Sequence, residues 1–162
     1  MKHTMMKKNS FWLALSLIVM LLSGIVASTV QTAGGTIAIK DMRWETPSGQ
    51  MISALMYKPD SVTPENKAPV IIVSHGWWNN REMQAGNYVE LARRGYVVVT
   101  IDMYGHGNSS PLINDQLTLG ATGMYDVVKL VAALPYVQAD KIGISGHSNG
   151  ARASNFAVAL DN

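Results

Sequence analysis

Three short runs of apolar, mostly β-branched residues set the strongest limit on how this chain folds. They are residues 70–73, 96–101 and 142–144. None of them shows the regular polar and apolar alternation of a strand with one face in water. Strands that are apolar on both faces are typical of a parallel sheet with helices on both sides. The runs therefore predict a buried parallel sheet.

Segments with helical periodicity follow each of these runs. They span residues 80–94, 119–134 and 151–160, and we expect the first to end at Gly95 and the second to stop at Pro135. The apolar stripes are Tyr88, Leu91 and Ala92 in the first segment and Met124, Val127, Val128, Val131 and Leu134 in the second. Alternating strands and helices predict a mostly parallel, doubly wound α/β sheet.

Two further strands precede the first run. Residues 36–44 and 51–57 flank a Thr-Pro-Ser-Gly turn at residues 46–49, which predicts an antiparallel hairpin. The polar residues 59–69 are expected to form a loop before the buried sheet begins.

The N-terminus has the pattern of a targeting segment. Three lysines precede residues 11–27, which are uncharged and mostly apolar. A membrane-spanning helix needs about 20 such residues, and a cleaved signal has a shorter core of about 7 to 15. We expect a basic cytoplasmic region at 1–10, an uncleaved signal-anchor helix at 11–30, a linker at 31–35 and the α/β domain at 36–162. A cleaved signal peptide is the alternative, and in both cases the domain is exported, because the lysines stay in the cytoplasm.

Composition excludes several functions. The 162 residues contain no cysteine, so disulfides, thiolate nucleophiles and cysteine metal sites are excluded. The net charge of +2 comes from the N-terminal lysines, since the remainder holds 13 − 3 = 10 basic against 11 acidic residues. The basic balance therefore gives no support to nucleic-acid binding. No metal constellation or dinucleotide fingerprint is present, and we expect no cofactor.

The sequence Gly-His-Ser-Asn-Gly at residues 146–150 lies between the last predicted strand and the last predicted helix. A G-x-S-x-G motif in that position is a nucleophile elbow, which exposes its serine on a tight, strained turn. Gly146 and Gly150 avoid collisions where strand and helix approach each other. We therefore predict that Ser148 is a catalytic nucleophile.

Two more motifs occur in matching positions. Ser-His-Gly-Trp follows the first run at residues 74–77, and Asp-Met-Tyr-Gly-His-Gly-Asn-Ser follows the second at residues 102–109. With the elbow, these motifs make residues 36–162 resemble the N-terminal half of an α/β-hydrolase, most closely the esterases, lipases and dienelactone-hydrolase-like members. Dienelactone hydrolases themselves carry cysteine where this chain has Ser148.

The resemblance implies roles for individual residues. Ser148 matches the nucleophile, and the backbone N–H groups of Asn149 and Trp77 match the two donors of an oxyanion hole. Trp77 and Trp78 are expected either to line an acyl pocket or to pack within their loop.

Other polar residues have simpler interpretations. His75 and His106 resemble structural hydrogen-bonding residues, and His147 is poorly placed to accept a proton from its neighbour. Asp102 is expected to form a turn. Asp126, Asp140 and Asp161 are expected to be solvated surface charges.

Two members of the catalytic triad do not appear. In this superfamily an acid and then a histidine follow the nucleophile, but only 14 residues follow Ser148 and none is histidine. The resemblance therefore implies a truncated fold, either a fragment of a longer reading frame or a degenerate product. We expect the chain alone to be poorly stable, with negligible esterase activity and an open edge strand.

Three functions remain at this point. The first is hydrolysis of a carboxylic ester through an acyl-enzyme on Ser148, with a small molecule or an acyl ester as the substrate. The second is a serine peptidase of the prolyl-oligopeptidase kind, although only a hydrophobic helix and a hairpin precede the core here. The third is an inactive relative that acts as a surface binding module. The sequence leaves the substrate and the oligomeric state open.

Overall fold

The computed structural model describes residues 2–112 and 121–160, and for residues 2–8 and 121 it describes the backbone alone. The helices are α1 (Lys2–Gln31), α2 (Ala85–Arg93), α3 (Ala121–Ala132) and α4 (Asn149–Leu160). The strands are β1 (Ile37–Glu45), β2 (Met51–Pro59), β3 (Ala68–Ser74), β4 (Val97–Ile101) and β5 (Val137–Gly146).

The described strands form one mixed sheet in the order β1-β2-β4-β3-β5. The strands β3, β4 and β5 are mutually parallel, as the apolar runs predict. The predicted hairpin is present, with β1 paired to β2, and β2 pairs antiparallel with β4. The predicted α/β-hydrolase-like sheet, preceded by an N-terminal helix, is confirmed.

Helices cover both faces of the sheet. Along β4, Val97, Val99 and Ile101 belong to the core cluster that includes residues of α3 and α4, whereas Val98 packs with residues of α2 on the opposite face. All five residues of β4 are buried. This two-sided burial explains why the strand shows no polar alternation.

Several predicted boundaries differ from the structure. The helix predicted over 80–94 begins at Ala85, because the backbone and side chain of Arg81 bind acidic residues elsewhere and hold 81–84 in turns. The helix predicted at 151 begins at Asn149. For the helix predicted over 119–134, residues 119–120 lie outside the described residues, and α3 ends at Ala132.

The N-terminal helix is longer than predicted. It begins at Lys2 and continues to Gln31, so only the first residue of the segment expected as linker is helical, and residues 32–36 form the turns before β1. Its part from Asn9 to Gln31 has 23 residues with a mean hydropathy of 2.4 and is exposed throughout. By length and composition it is the one helix within the described residues that suffices to cross a membrane.

The register brings three loops to one edge. Ser74 at the end of β3 pairs with Ile101 at the end of β4 and with Gly146 at the end of β5. The loops that begin at residues 75, 102 and 147 therefore leave the sheet side by side. In α/β sheets, ligands bind at the carboxyl ends of the strands, as they would at this edge.

Candidate active site

Ser148 lies on the sharp turn between β5 and α4, where its side chain is exposed. Its φ angle is 54°, in the left-handed region that residues with a side chain rarely adopt. A non-glycine residue held there costs of order 1 kcal/mol or more, and such residues cluster at active sites. The turn thus has the strained backbone expected of a nucleophile elbow.

Close backbone approaches enclose this turn. A Cβ atom on Gly146 would overlap the carbonyl carbon of Gly150, and a Cβ atom on Gly150 would lie 2.5 Å from the carbonyl oxygen of Ser74. Real Cβ atoms do not approach backbone so closely. Both glycines are therefore required by β3, β5 and α4 coming together at one point.

The loop after β3 lies directly against the elbow. A Cβ atom on Gly76 would be 3.5 Å from the Ser148 Cβ and 2.9 Å from the His147 Nδ1. The backbone N–H of His147 also donates to the Ser74 carbonyl, at 3.3 Å. The structure therefore brings Trp77, which follows Gly76, next to Ser148.

Two backbone donors at this point are unused. In the described part of the chain, neither the N–H of Asn149 nor that of Trp77 donates a hydrogen bond. Asn149 is the first residue of α4, where the helix dipole places partial positive charge. Free N–H groups at a helix N-terminus are suited to binding an anion, including a developing oxyanion.

His75 is buried behind the elbow with both ring nitrogens in use. Its Nδ1 lies 2.7 Å from the Gly76 carbonyl oxygen, and its Nε2 lies 3.1 Å from the Met103 nitrogen. Because a carbonyl only accepts, Nδ1 carries the proton and Nε2 accepts the Met103 N–H. Burial lowers the pKa of His75, which favours this neutral form. The residue ties the first two loops together.

His106 lies at the entrance of the same loop cluster. Its Nδ1 is 3.2 Å from the Tyr104 carbonyl oxygen, and its ring centroid is 4.9 Å from that of His75 and 5.7 Å from that of Trp77. Within the described residues, no imidazole or carboxylate hydrogen-bonds to the Ser148 Oγ.

Asp102 organises the loop after β4. Its Oδ1 accepts the backbone N–H of Arg81 at 2.9 Å, and its Oδ2 accepts that of Asn108 at 3.0 Å. The side chain is 1% exposed, and a Cβ atom on Gly107 would overlap its carboxylate. The residue expected to form a turn therefore also fixes the end of the neighbouring loop at Arg81.

Sequence analysis missed Arg81, whose side chain joins four segments and is 7% exposed. Its guanidinium forms a bidentate pair with Asp41 of β1, at 2.8 and 3.0 Å. It also donates to the Ser53 Oγ at 2.8 Å and to the Ala54 carbonyl at 2.9 Å, both in β2. The Arg81 Nε is 3.8 Å from the Asp102 carboxylate. No local pattern marks this arginine, because its partners lie 21 to 40 residues away.

The prediction that Asp126 is a solvated surface charge is wrong. Asp126 in α3 is half-buried, accepts a hydrogen bond from the Tyr104 hydroxyl at 3.3 Å, and has its pKa raised by burial. The Tyr104 hydroxyl also lies 3.1 Å from the Thr46 Oγ1, so the carboxylate helps to anchor the hairpin turn on α3. Asp140 is exposed as expected, and Asp161 lies outside the described residues.

Trp77 and Trp78 contact each other within their loop but keep much of their surface exposed. Their side chains are 45% and 85% exposed, and their rings meet edge to face with centroids 5.8 Å apart.

No group of three metal-ligating side chains occurs within the described ranges. A cavity of about 550 Å³ lies away from the elbow, between α2, the hairpin and the end of α1.

Residues 48–162 match the model of the X-Pro dipeptidyl-peptidase (S15) family. The match covers 115 of the 162 residues, including all three loops of the catalytic edge. The chain belongs to the S15 family. A search of curated proteins gives no match. Membership confirms the expected relation to the α/β-hydrolases.

Solved structures with a similar fold include proteins described as hydrolases. The Butyrivibrio proteoclasticus protein Est1E, described with bound ferulic acid, is 27% identical over 74% of this chain and 47% of its own, with a TM-score of 0.62. Acetyl xylan esterase 1 from a Thermoanaerobacterium species is 22% identical over 78% and 45%, with a TM-score of 0.67. Dipeptidyl peptidase 4 of Porphyromonas gingivalis is 24% identical over 75% and 19%, with a TM-score of 0.62.

These neighbours are much longer than the region they share with this chain. The chain spans 45% of the length of acetyl xylan esterase 1 and 47% of that of Est1E. The matches therefore cover the β1–α4 part of an α/β-hydrolase fold.

Proposed function

We propose that the protein is a serine hydrolase that cleaves carboxylic esters through an acyl-enzyme on Ser148. The left-handed backbone of Ser148, at a strand-to-helix turn that only glycines permit, carries this proposal. Strain of this kind is retained where the rest of the structure enforces it, and it then has a functional use.

The geometry suggests a division of labour. The Ser148 Oγ attacks the substrate carbonyl, and the N–H groups of Asn149 and Trp77 stabilise the oxyanion that forms. Loss of one such donor typically lowers the rate by about 10²- to 10³-fold. His75 has both ring nitrogens engaged, so it takes no part in proton transfer.

We further propose that the general base and its acid come from residues outside 1–162. A serine hydroxyl at its ordinary pKa is a weak nucleophile and needs a positioned base. The 162-residue chain alone is then expected to turn over p-nitrophenyl acetate no faster than buffer. Turnover that Ser148→Ala abolishes would contradict this expectation.

The helix α1 fits a membrane anchor that holds the hydrolase domain on the outer face of the membrane, with the N-terminal lysines inside. Protease protection in sealed vesicles tests this arrangement. In inverted vesicles, external protease should cleave the domain only after the vesicles are opened. In right-side-out vesicles, external protease should cleave the domain without opening, and protection there would contradict the arrangement.

A peptidase is the second candidate, and the S15 family match is the observation that favours it. The same elbow serves acyl transfer from an amide as well as from an ester. Parallel assays with a p-nitrophenyl ester and an X-Pro p-nitroanilide separate the two. A higher kcat/KM for the anilide would replace the ester proposal with the peptidase.

Covalent labelling tests the nucleophile itself. The protein expressed from its complete reading frame is expected to react with a fluorophosphonate, and peptide mapping should place the adduct on Ser148. The matched control is Ser145→Ala, which removes another exposed serine three residues earlier and should leave labelling unchanged. Absence of an adduct on Ser148 would instead favour an inactive relative that acts as a binding module.

A further inference from the structure

Trp78 has a backbone conformation that its surroundings do not explain. Its φ angle is 58°, and it is one of three described non-glycine residues with a positive φ, together with Ala33 and Ser148. A bulky residue in this region is a genuine outlier. A residue is usually strained in this way because burial of its side chain offsets the cost.

The described residues provide no such burial at Trp78, because 85% of its surface is exposed among them. An indole in water also forgoes the free energy that its apolar area would release in a core. Backbone strain and solvent exposure thus coincide at one residue. Function is the remaining reason to keep an indole at this position.

The location of the indole points to the substrate of Ser148. Trp78 follows Trp77, and Gly76 lies against the Ser148 side chain. The two tryptophan rings meet at an interplanar angle of 78°, so they form a corner of two nearly perpendicular faces. His106 packs on the Trp77 ring and holds one side of that corner.

We propose that Trp77 and Trp78 are a platform for a pyranose ring, so that the ester cleaved at Ser148 is carried by a carbohydrate. This inference rests on the proposed function and names its substrate class. A pyranose has an apolar C–H face that stacks on an indole and a rim of hydroxyls that stays hydrated. An open, water-exposed ring suits that combination.

Other ligands fit this surface less well. A long acyl chain gains most from a closed apolar pocket that removes it from water on all sides. The exposed indoles offer it one face only. The residues that follow, Asn79 and Asn80, are exposed, and their Oδ1 atoms accept the backbone N–H groups of Asn80 and Glu82, which leaves their side-chain NH2 groups as donors beside the rings. These groups match the hydroxyl rim of a sugar.

Affinity electrophoresis tests the platform without any chemistry. The full chain, carrying Ser148→Ala and solubilised in a sugar-free detergent, is run through gels that contain hydroxyethyl cellulose or arabinoxylan. Retention is expected in at least one gel. Trp78→Gly should weaken it at least about fivefold, the lower range of a lost aromatic stack.

The same variant gives a second readout. Glycine accepts a positive φ without strain, so Trp78→Gly should not lower the thermal unfolding midpoint. Trp12→Ala, which removes a half-exposed tryptophan from α1, should leave retention unchanged. A role in packing alone would instead make Trp78→Gly less stable.

Three results would overturn the platform: equal retention of the parent and Trp78→Gly, a lowered unfolding midpoint in Trp78→Gly, or no retention at all. Protection of Trp78 from iodide quenching by phosphatidylcholine vesicles, without protection by glycans, would assign the rings to a bilayer instead. Because the parent carries Ser148→Ala, retention without fluorophosphonate labelling of the wild-type protein expressed from its complete reading frame would reject the hydrolase and keep the platform.

Discussion

Two loops at the same edge of the sheet are held in place by opposite means. The elbow, residues 146–150, is held by close backbone contacts, which are possible because Gly146 and Gly150 have no side chain. The loop of residues 75–81 is fixed by large polar side chains, since His75 and Arg81 bind groups on other segments. The first loop is specified within five residues, whereas the second depends on partners far along the chain.

The largest effect is expected at the elbow. Gly146→Ala places a methyl group inside the Gly150 backbone, which cannot yield without separating β5 from α4. We expect a loss of about 4 kcal/mol or more in the free energy of unfolding, the range of severe steric defects. Denaturant unfolding, or soluble yield if the variant does not fold, measures it.

Gly143→Ala is the matched control in the same strand. Its Cβ atom would lie 3.8 Å from the nearest atom, which is ordinary contact. Stability should be unchanged or slightly higher, since alanine restricts the unfolded chain. A similar loss in both variants would mean that β5 resists any side chain, and the contrast between the loops would fail.

The second loop is tested by Arg81→Met. The variant removes the hydrogen bonds to Ser53 and Ala54 and leaves the buried carboxylate of Asp102 with less compensation. Breaking a buried pair by removing one partner typically costs about 3 kcal/mol or more. Arg93→Met removes an exposed pair with Glu90 and should cost less than about 1 kcal/mol. Equal losses would show that Arg81 acts as an ordinary surface residue.

His75 makes the second loop sensitive to acid. Burial lowers its pKa below the ordinary 6.5, so the unfolded chain binds the proton more readily than the folded one. Its contribution to stability is therefore complete above about pH 6.5 and is lost as the pH falls through the folded pKa. His75→Gln should reduce the slope of unfolding free energy against pH below 6.5. An unchanged slope would assign the acid sensitivity to other groups.

The smallest effect concerns strain in the elbow. Ser148→Gly removes the nucleophile and relieves a positive φ, so unfolding free energy should stay constant or rise by up to about 1 kcal/mol. Ser145→Gly makes the same chemical change inside β5 and should lower stability by about 0.5 to 1 kcal/mol. Opposite signs for one substitution three residues apart would separate a strained serine from a relaxed one.

The same contrast explains which features the sequence predicted. The parallel strands follow from apolar runs, and the elbow follows from glycines two positions before and after Ser148, so both are local patterns. The start of α2 was wrong because Arg81 is recruited by Asp41 and Asp102, and no window of helical periodicity contains that information. The prediction that Asp126 is solvated was wrong for a related reason, since the Tyr104 hydroxyl contacts it from another loop.

The hairpin register has a mechanical consequence. Ile37 pairs with Pro59 at one end of β1, and Glu45 pairs with Met51 at the other, which is the end near the elbow because Ala54 lies opposite Ile101. The nine residues of β1 separate the two ends by roughly 30 Å. An attachment through α1 therefore holds the sheet at the end of β1 that lies away from the catalytic edge. A small rotation of the chain at residues 32–36 would then move Ser148 over a large distance.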